Sequence, residues 1–139
     1  HSCWTLSGVE RCSMHPLTCE WVDKAEGDFL TAGRELRARN SPNYDAVCFH
    51  AQQMAEKYLK AFLQENKLAI PRTHVLADLL GLCLQVDGGF QLIRPELNTL
   101  EGYAVQFRYP GTSAEKAEAK LAYQTAVVIR EFLRSRLGI

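Results

Sequence analysis

The chain has 139 residues, enough for one hydrophobic core and too few for two that are each well buried. Apolar residues make up 47% of it and charged residues 23%, the balance of a folded domain, which excludes an intrinsically disordered chain. Its 16 basic and 16 acidic side chains cancel, which excludes a global positive field; any contact with a polyanion has to be local.

No stretch approaches the roughly 18 consecutive apolar residues of a membrane span, and the N-terminus lacks the basic-then-apolar pattern of a signal peptide. A cytoplasmic protein without a membrane contact is the expectation. Cys3, Cys12, His15 and Cys19 are residue types that bind zinc, but only Cys12-Ser13-Met14-His15 is tightly spaced and no second tight pair answers it. No metal and no cofactor is therefore expected. Met14 also reads as a natural initiator, which would make His1 to Ser13 a remnant or an upstream-encoded leader. Residues 1–19 are expected to be an N-terminal extension and residues 20–139 the folded domain.

From Glu20 the pattern is helical. Trp21, Ala25, Phe29, Ala32 and Leu36 recur at steps of three or four and predict one buried face on a helix ending near Arg39. Asn40-Ser41-Pro42-Asn43 breaks it, with Ser41 as the expected N-cap of the next helix and Pro42 at its first position. That second helix, about residues 42–66, carries Tyr44, Val47, Cys48, Ala51, Met54, Ala55, Tyr58, Leu59, Phe62 and Leu63 on about half its circumference and is expected to be central.

A loop follows at Lys67 to Arg72, with Pro71 forbidding continuation of the helix, and Thr73 is the expected cap of a third helix carrying Leu76, Leu79, Leu80, Cys83 and Val86 and stopped by Gly88-Gly89. Cys48 and Cys83 lie in apolar patterns and read as core thiols. A fourth helix around Pro95 to Gln106 turns Leu97, Leu100, Tyr103, Ala104 and Phe107 inward, and Arg108-Tyr109-Pro110-Gly111 stops it. Thr112 and Glu115 have the spacing of a capping box, so the last helix should start there, run to about Leu137 and bury Ala117, Leu121, Val128 and Phe132. Five helical patterns with short connections and no strand alternation predict an all-α, antiparallel up-and-down bundle.

Two features point beyond packing. His50, Gln53, Lys57, Lys60 and Gln64 succeed one another at steps of three and four, a polar stripe opposite the greasy face of the second helix. Two lysines and a histidine in line suit phosphate oxygens or bases, while a solvated face with a Glu56–Lys60 pair would give the same pattern. Arg108 ends a helix beside an aromatic and a Pro-Gly turn, which leaves its guanidinium to fork onto phosphate or to cap helix carbonyls. His74 beside Thr73 is read either as part of a helix start or as a ligand contact. The candidate contacts for a nucleotide or partner are His50, Gln53, Lys57, Lys60, His74, Arg108 and Tyr109; no catalytic or metal-ligating residue is assigned.

The run from Tyr44 to Ala61, Tyr-Asp-Ala-Val-Cys-Phe-His-Ala-Gln-Gln-Met-Ala-Glu-Lys-Tyr-Leu-Lys-Ala, resembles the signature helix of the HEPN family, the higher-eukaryote and prokaryote nucleotide-binding domains. Pro71-Arg72-Thr73-His74-Val75-Leu76 resembles that family's loop into its third helix, and Phe107-Arg108-Tyr109-Pro110 resembles the turn before its last. The resemblance covers roughly Trp21 to Leu137 and implies a helical bundle that usually dimerises, often paired with a minimal nucleotidyltransferase as in toxin–antitoxin systems. Some members of the family are metal-independent ribonucleases that share an arginine followed, after four to six residues, by a histidine. The arginine stabilises charge on the attacked phosphate and the histidine handles the ribose hydroxyl proton. Here Ser113, Ala114 and Glu115 stand at those distances from Arg108, and Arg11 and His15 are one residue too close.

The expectation is therefore a non-catalytic module that binds a nucleotide or nucleic acid, a homodimer and the partner of a nucleotidyltransferase chain. The alternatives are a metal-independent ribonuclease toxin with a differently assembled site and a purely structural dimerisation domain.

Overall fold

The computed structural model describes residues 14–139. They form α1 (Pro16–Leu36), α2 (Tyr44–Glu65), α3 (Leu76–Val86), a 3-10 helix (Gly88–Ile93), α4 (Arg94–Gln106) and α5 (Lys116–Leu137), an all-α bundle as the periodicity predicts. No helix among the described residues is long and apolar enough to cross a membrane.

Helix α1 starts earlier than its apolar periodicity indicates. Pro16 occupies the first turn, where no amide hydrogen is needed, and the Nδ1 of His15 accepts a hydrogen bond from Leu17 N at 3.0 Å. The helix thus begins within the segment expected to be an extension, and Met14 is already buried in the core. Its C-terminal end also comes sooner, at Leu36, with Arg37 as C-cap.

Helix α2 begins at Tyr44 and not at Pro42. Asn43, not Ser41, is the cap, its Oδ1 accepting from Ala46 N at 3.0 Å, because Ser41 sits in the left-handed region at φ 48° and belongs to the turn. From Val47 to Leu63 the helix is buried nearly all round, and Tyr58, Leu59, Met54 and Leu63 are among the largest fully buried side chains. Each such side chain stabilises the fold by roughly 1.5–3 kcal/mol relative to exposure. Helix α2 makes its most extensive contacts with α1 and α5. It runs antiparallel to α1, as Thr18 meets Glu65 and Asp28 meets His50. It runs parallel to α5, since Asp45 reaches Ala114 and Tyr58 reaches Arg134.

The start of α3 is set from outside the local sequence. Thr73 does not cap it; its Oγ1 accepts from Val75 N and donates to Asp78 Oδ2, tightening the loop, while Leu76 N donates to Glu101 Oε1 of α4. Gly88-Gly89 ends α3 but opens a 3-10 turn held by Asp87, whose Oδ1 accepts from Gly89 N. That turn drives Phe90 into the core against Phe62, centroids 4.5 Å apart, and Phe132, 5.0 Å apart.

On α5 the capping box forms one register later than Thr112–Glu115: Glu115 is the cap and Glu118 closes it, with Glu115 N donating to Glu118 Oε1 at 2.8 Å. The inward face is a correction to the sequence reading. Ala119, Ala122, Ala126, Ile129, Leu133 and Leu137 are buried and Phe132 is partly buried, whereas Ala117 is exposed and Leu121 and Val128 are 46% and 47% exposed. The helix carries two apolar stripes, and the one rich in alanine goes inside because small side chains let α5 approach α2 closely. Gly138, at φ 75°, then turns the chain out of the helix in the left-handed conformation that a glycine adopts without strain.

Candidate functional site

The polar stripe of α2 faces inward. Asp28 of α1 lies in the buried series Val22, Ala25, Asp28, Ala32 and takes a hydrogen bond from Lys57 Nζ and one shared with His50 Nδ1, 2.7 Å away. Beside Lys57 on α2, the buried Glu56 accepts from Lys60 Nζ at 3.0 Å and from Gln53 Nε2, and lies 3.2 Å from His74 Nδ1. Lys60 also lies over the Trp21 ring, 5.6 Å from its centroid. Gln52 Nε2 donates to the carbonyl of His74, so the loop before α3 is fastened to α2 at two points.

The five candidates His50, Gln53, Lys57, Lys60 and His74 thus fall into two clusters, His50 and Lys57 on Asp28, and Gln53, Lys60 and His74 on Glu56. Lys60 is 5% exposed, which leaves no face for a ligand, and the side chain of His74, at 76%, is the most open of them. Sequence spacing finds the alignment of these groups and the Glu56–Lys60 pair, and misses Asp28. Asp28 and Glu56 hold them, and the available signal was a carboxylate at helical spacing within an apolar stripe of α1.

Arg108 and Tyr109 lie elsewhere. The Phe107–Gly111 turn places Arg108 at a cleft of about 270 Å³ between the first turns of α2 and the end of α4, lined also by Asp45, Cys48, Phe49, Tyr103 and Phe107. Lys57 is eight residues beyond Phe49 on α2, about 12 Å along the axis, so the stripe and Arg108 do not share this cleft. Arg108 is exposed and makes no ion pair with a described residue; Tyr109 is 67% exposed and Phe49 52%. Phe49 is the residue that sequence reasoning passed over: it stands in the signature run, but its place on the wheel belongs to neither the core nor the polar stripe. His50 supports it from behind in an edge contact, 5.2 Å between centroids.

The chemistry available in the cleft is that of a binding surface. Burial, with the nearby charges of Asp45 and Glu118, pushes the Cys48 thiol up to about 12, so it stays protonated at neutral pH and is no nucleophile. Burial and the same Glu118 raise Tyr103 as well. An aromatic wall, a guanidinium and the Asp45 carboxylate, which accepts from Ala114 N, remain; the ring faces can stack and the guanidinium can fork onto an anion. A second hollow of about 350 Å³ at the other end of α2 is lined by Leu17, Trp21, Gln64 and Ile70 with Glu20 and Lys24, charges of both signs and no guanidinium.

A further cluster, unforeseen in the sequence, joins three helices. Glu26 of α1 accepts two hydrogen bonds from Arg130, each 2.7 Å, and one from Tyr58, whose hydroxyl in turn accepts from Arg134. Burial alone would raise the Glu26 carboxyl, but these hydrogen bonds and the two arginine charges outweigh it and hold its pKa below the ordinary value. Of the four zinc-type residues, Cys3 and Cys12 lie outside the described residues, His15 caps α1 and Cys19 is buried in the core.

A family model described as HEPN domain matches residues 18–136, nearly the whole of the bundle. No curated protein and no solved structure matches the chain.

Proposed function

Because the chain belongs to the HEPN domain family, we propose that it is a non-catalytic module that binds a nucleotide or an RNA end in the cleft between α2 and α4. The observation that carries this reading is the Arg108 guanidinium, exposed and without an ion pair among the described residues, at the rim of a cleft walled by Phe49 and Tyr103. Arg108 and Tyr109 are its ligand contacts. His50 backs Phe49 in an edge contact, while Gln53, Lys57, Lys60 and His74 fix the path of α2 and the following loop through their bonds to Asp28 and Glu56. In this reading the protein is cytoplasmic, forms a homodimer and serves as the partner of a minimal nucleotidyltransferase; the dimer and the partner are what the family resemblance implies. Neither His50 nor His74 lines the cleft with Arg108, which favours binding over ribonuclease chemistry.

A thermal-shift series with purine and pyrimidine nucleotides tests the proposal. A ligand at a hundred times its dissociation constant stabilises by about 2.7 kcal/mol. Arg108→Ala should abolish that shift and leave the unliganded Tm unchanged. No shift with any nucleotide would leave a structural dimerisation domain. Metal-free cleavage of labelled RNA, lost in Arg108→Ala, would make the protein a ribonuclease.

A further inference from the structure

The hollow of about 350 Å³ opens where α1 begins and α2 ends. Its apolar walls are Leu17 and Trp21 of α1 and Ile70 of the loop after α2, and Glu20, Lys24 and Gln64 complete the lining. Trp21 and Ile70 also pack against the core, and Lys60, itself held by Glu56, lies over the Trp21 ring. The apolar part of the hollow is therefore in place before any ligand arrives.

Its polar groups are unspent. Glu20, Lys24 and Gln64 have no side-chain hydrogen bond or ion pair among the described residues, and the indole N–H of Trp21 has no acceptor there. Glu20 and Lys24 stand four residues apart with the acid first, the order that favours a pair on a helix, yet no bridge joins them. Other charges along the contacts of α1 and α2 are bound to one another: Asp28 to Lys57, Glu56 to Lys60 and Glu26 to Arg130. Here a carboxylate, an ammonium, an amide and an indole N–H line one space with their bonding capacity unused, beside a Leu17 that is 48% exposed.

We infer that this hollow binds a free aromatic α-amino acid as its zwitterion. Glu20 repels a ligand that is only an anion and Lys24 one that is only a cation, so the charge pattern selects a molecule that carries both. The ligand carboxylate takes hydrogen bonds from Lys24 Nζ and the Trp21 N–H, and its ammonium donates to Glu20 and to the amide oxygen of Gln64. Its ring packs on Trp21 between Leu17 and Ile70, and the volume suits a small ligand. Gln64 lies nineteen residues along α2 from Asp45 at the Arg108 cleft, about 28 Å, so this site stands apart from the nucleotide reading and does not rest on it.

The experiment is calorimetric titration of the 139-residue chain with L-phenylalanine, and with 3-phenylpropanoate and phenethylamine, which each lack one of its two charges. Phenylalanine should bind about fivefold or more tightly than either. Glu20→Gln should remove the preference over 3-phenylpropanoate and keep the one over phenethylamine, and Lys24→Gln should do the reverse. Both residues are exposed, so neither change should move the unliganded Tm. L-Leucine should bind more weakly, for want of a ring. With Trp4→Phe, Trp21 becomes the only indole of the chain, and its emission should shift as phenylalanine saturates. The inference is overturned if phenylalanine fails to bind at about 10 mM, if the three ligands bind alike, or if the two glutamine variants leave their ranking unchanged. Equal binding of leucine, or an emission that does not move at saturation, would overturn it too. So would loss of binding in Arg108→Ala, which would put the amino acid in the other cleft. The nucleotide shift of the preceding section depends on Arg108 and not on Glu20 or Lys24, so the two readings can fail separately.

Discussion

Glu26 shows how much one side chain can organise. Its two oxygens tie α1 to α5 through Arg130 and to α2 through Tyr58, and Arg134 lies close behind. Removing it leaves a guanidinium and a phenol without their acceptor in a partly buried site. Glu26→Ala should therefore destabilise the fold by about 2–3 kcal/mol in urea denaturation at neutral pH. The same residue sets an acid sensitivity. Its folded-state pKa is depressed below 4.5, so its contribution is present above that value and is lost as pH falls through the folded-state pKa. Melts from neutral pH to about pH 3 should show the unaltered protein losing more stability than Glu26→Gln, with the gap between them closing in acid. A constant gap would show that the charge of Glu26 is not what holds the three helices.

At the scale of the element, α2 and α5 show opposite uses of a two-sided helix. In α2 the second side is polar and is nonetheless covered, because α1 brings Asp28 to meet its cations. In α5 the second side is apolar at Leu121 and Val128 and is nonetheless left out, because the alanine stripe fits closer to the core. Helix α3 is the least secured, with no side-chain cap of its own and a glycine at position 81 in its interior. A Cβ at Gly81 would meet nothing within 4 Å, so Gly81→Ala should stabilise by about 0.5–1 kcal/mol through helix propensity. Differential scanning calorimetry should read this as a Tm gain of about 2–4 °C. A loss would mean that the α3 backbone departs from ordinary helical geometry at that residue.

For the whole molecule, one core cluster runs from Met14 to Leu137 and includes Cys48 and Cys83. Burial pushes both thiols up to about 12, so they are protected by occlusion and by protonation together. Iodoacetamide should leave Cys48 and Cys83 unmodified in the native protein, and peptide mass spectrometry should find both labelled together once the bundle unfolds. Labelling of Cys48 alone under native conditions would show that the Arg108 cleft opens independently of the core.

The chain by itself determined the number and order of the main helices, the central place of α2, the stop at Arg108-Tyr109-Pro110-Gly111 and the HEPN resemblance. The helices, the place of α2 and the stop rest on periodicity and turn chemistry, which act between residues a few positions apart; the resemblance rests on the motif residues of α2 and the two turns. Tertiary structure decided the rest. It covered the stripe of His50, Gln53, Lys57 and Lys60, supplied Glu101 to α3, added the 3-10 turn that carries Phe90, chose the alanine face of α5 and left Arg108 open. The reason is physical. Whether a polar or apolar side chain meets solvent depends on what a distant segment brings to it, and Asp28 meets His50 and Lys57 across 22 and 29 residues of sequence.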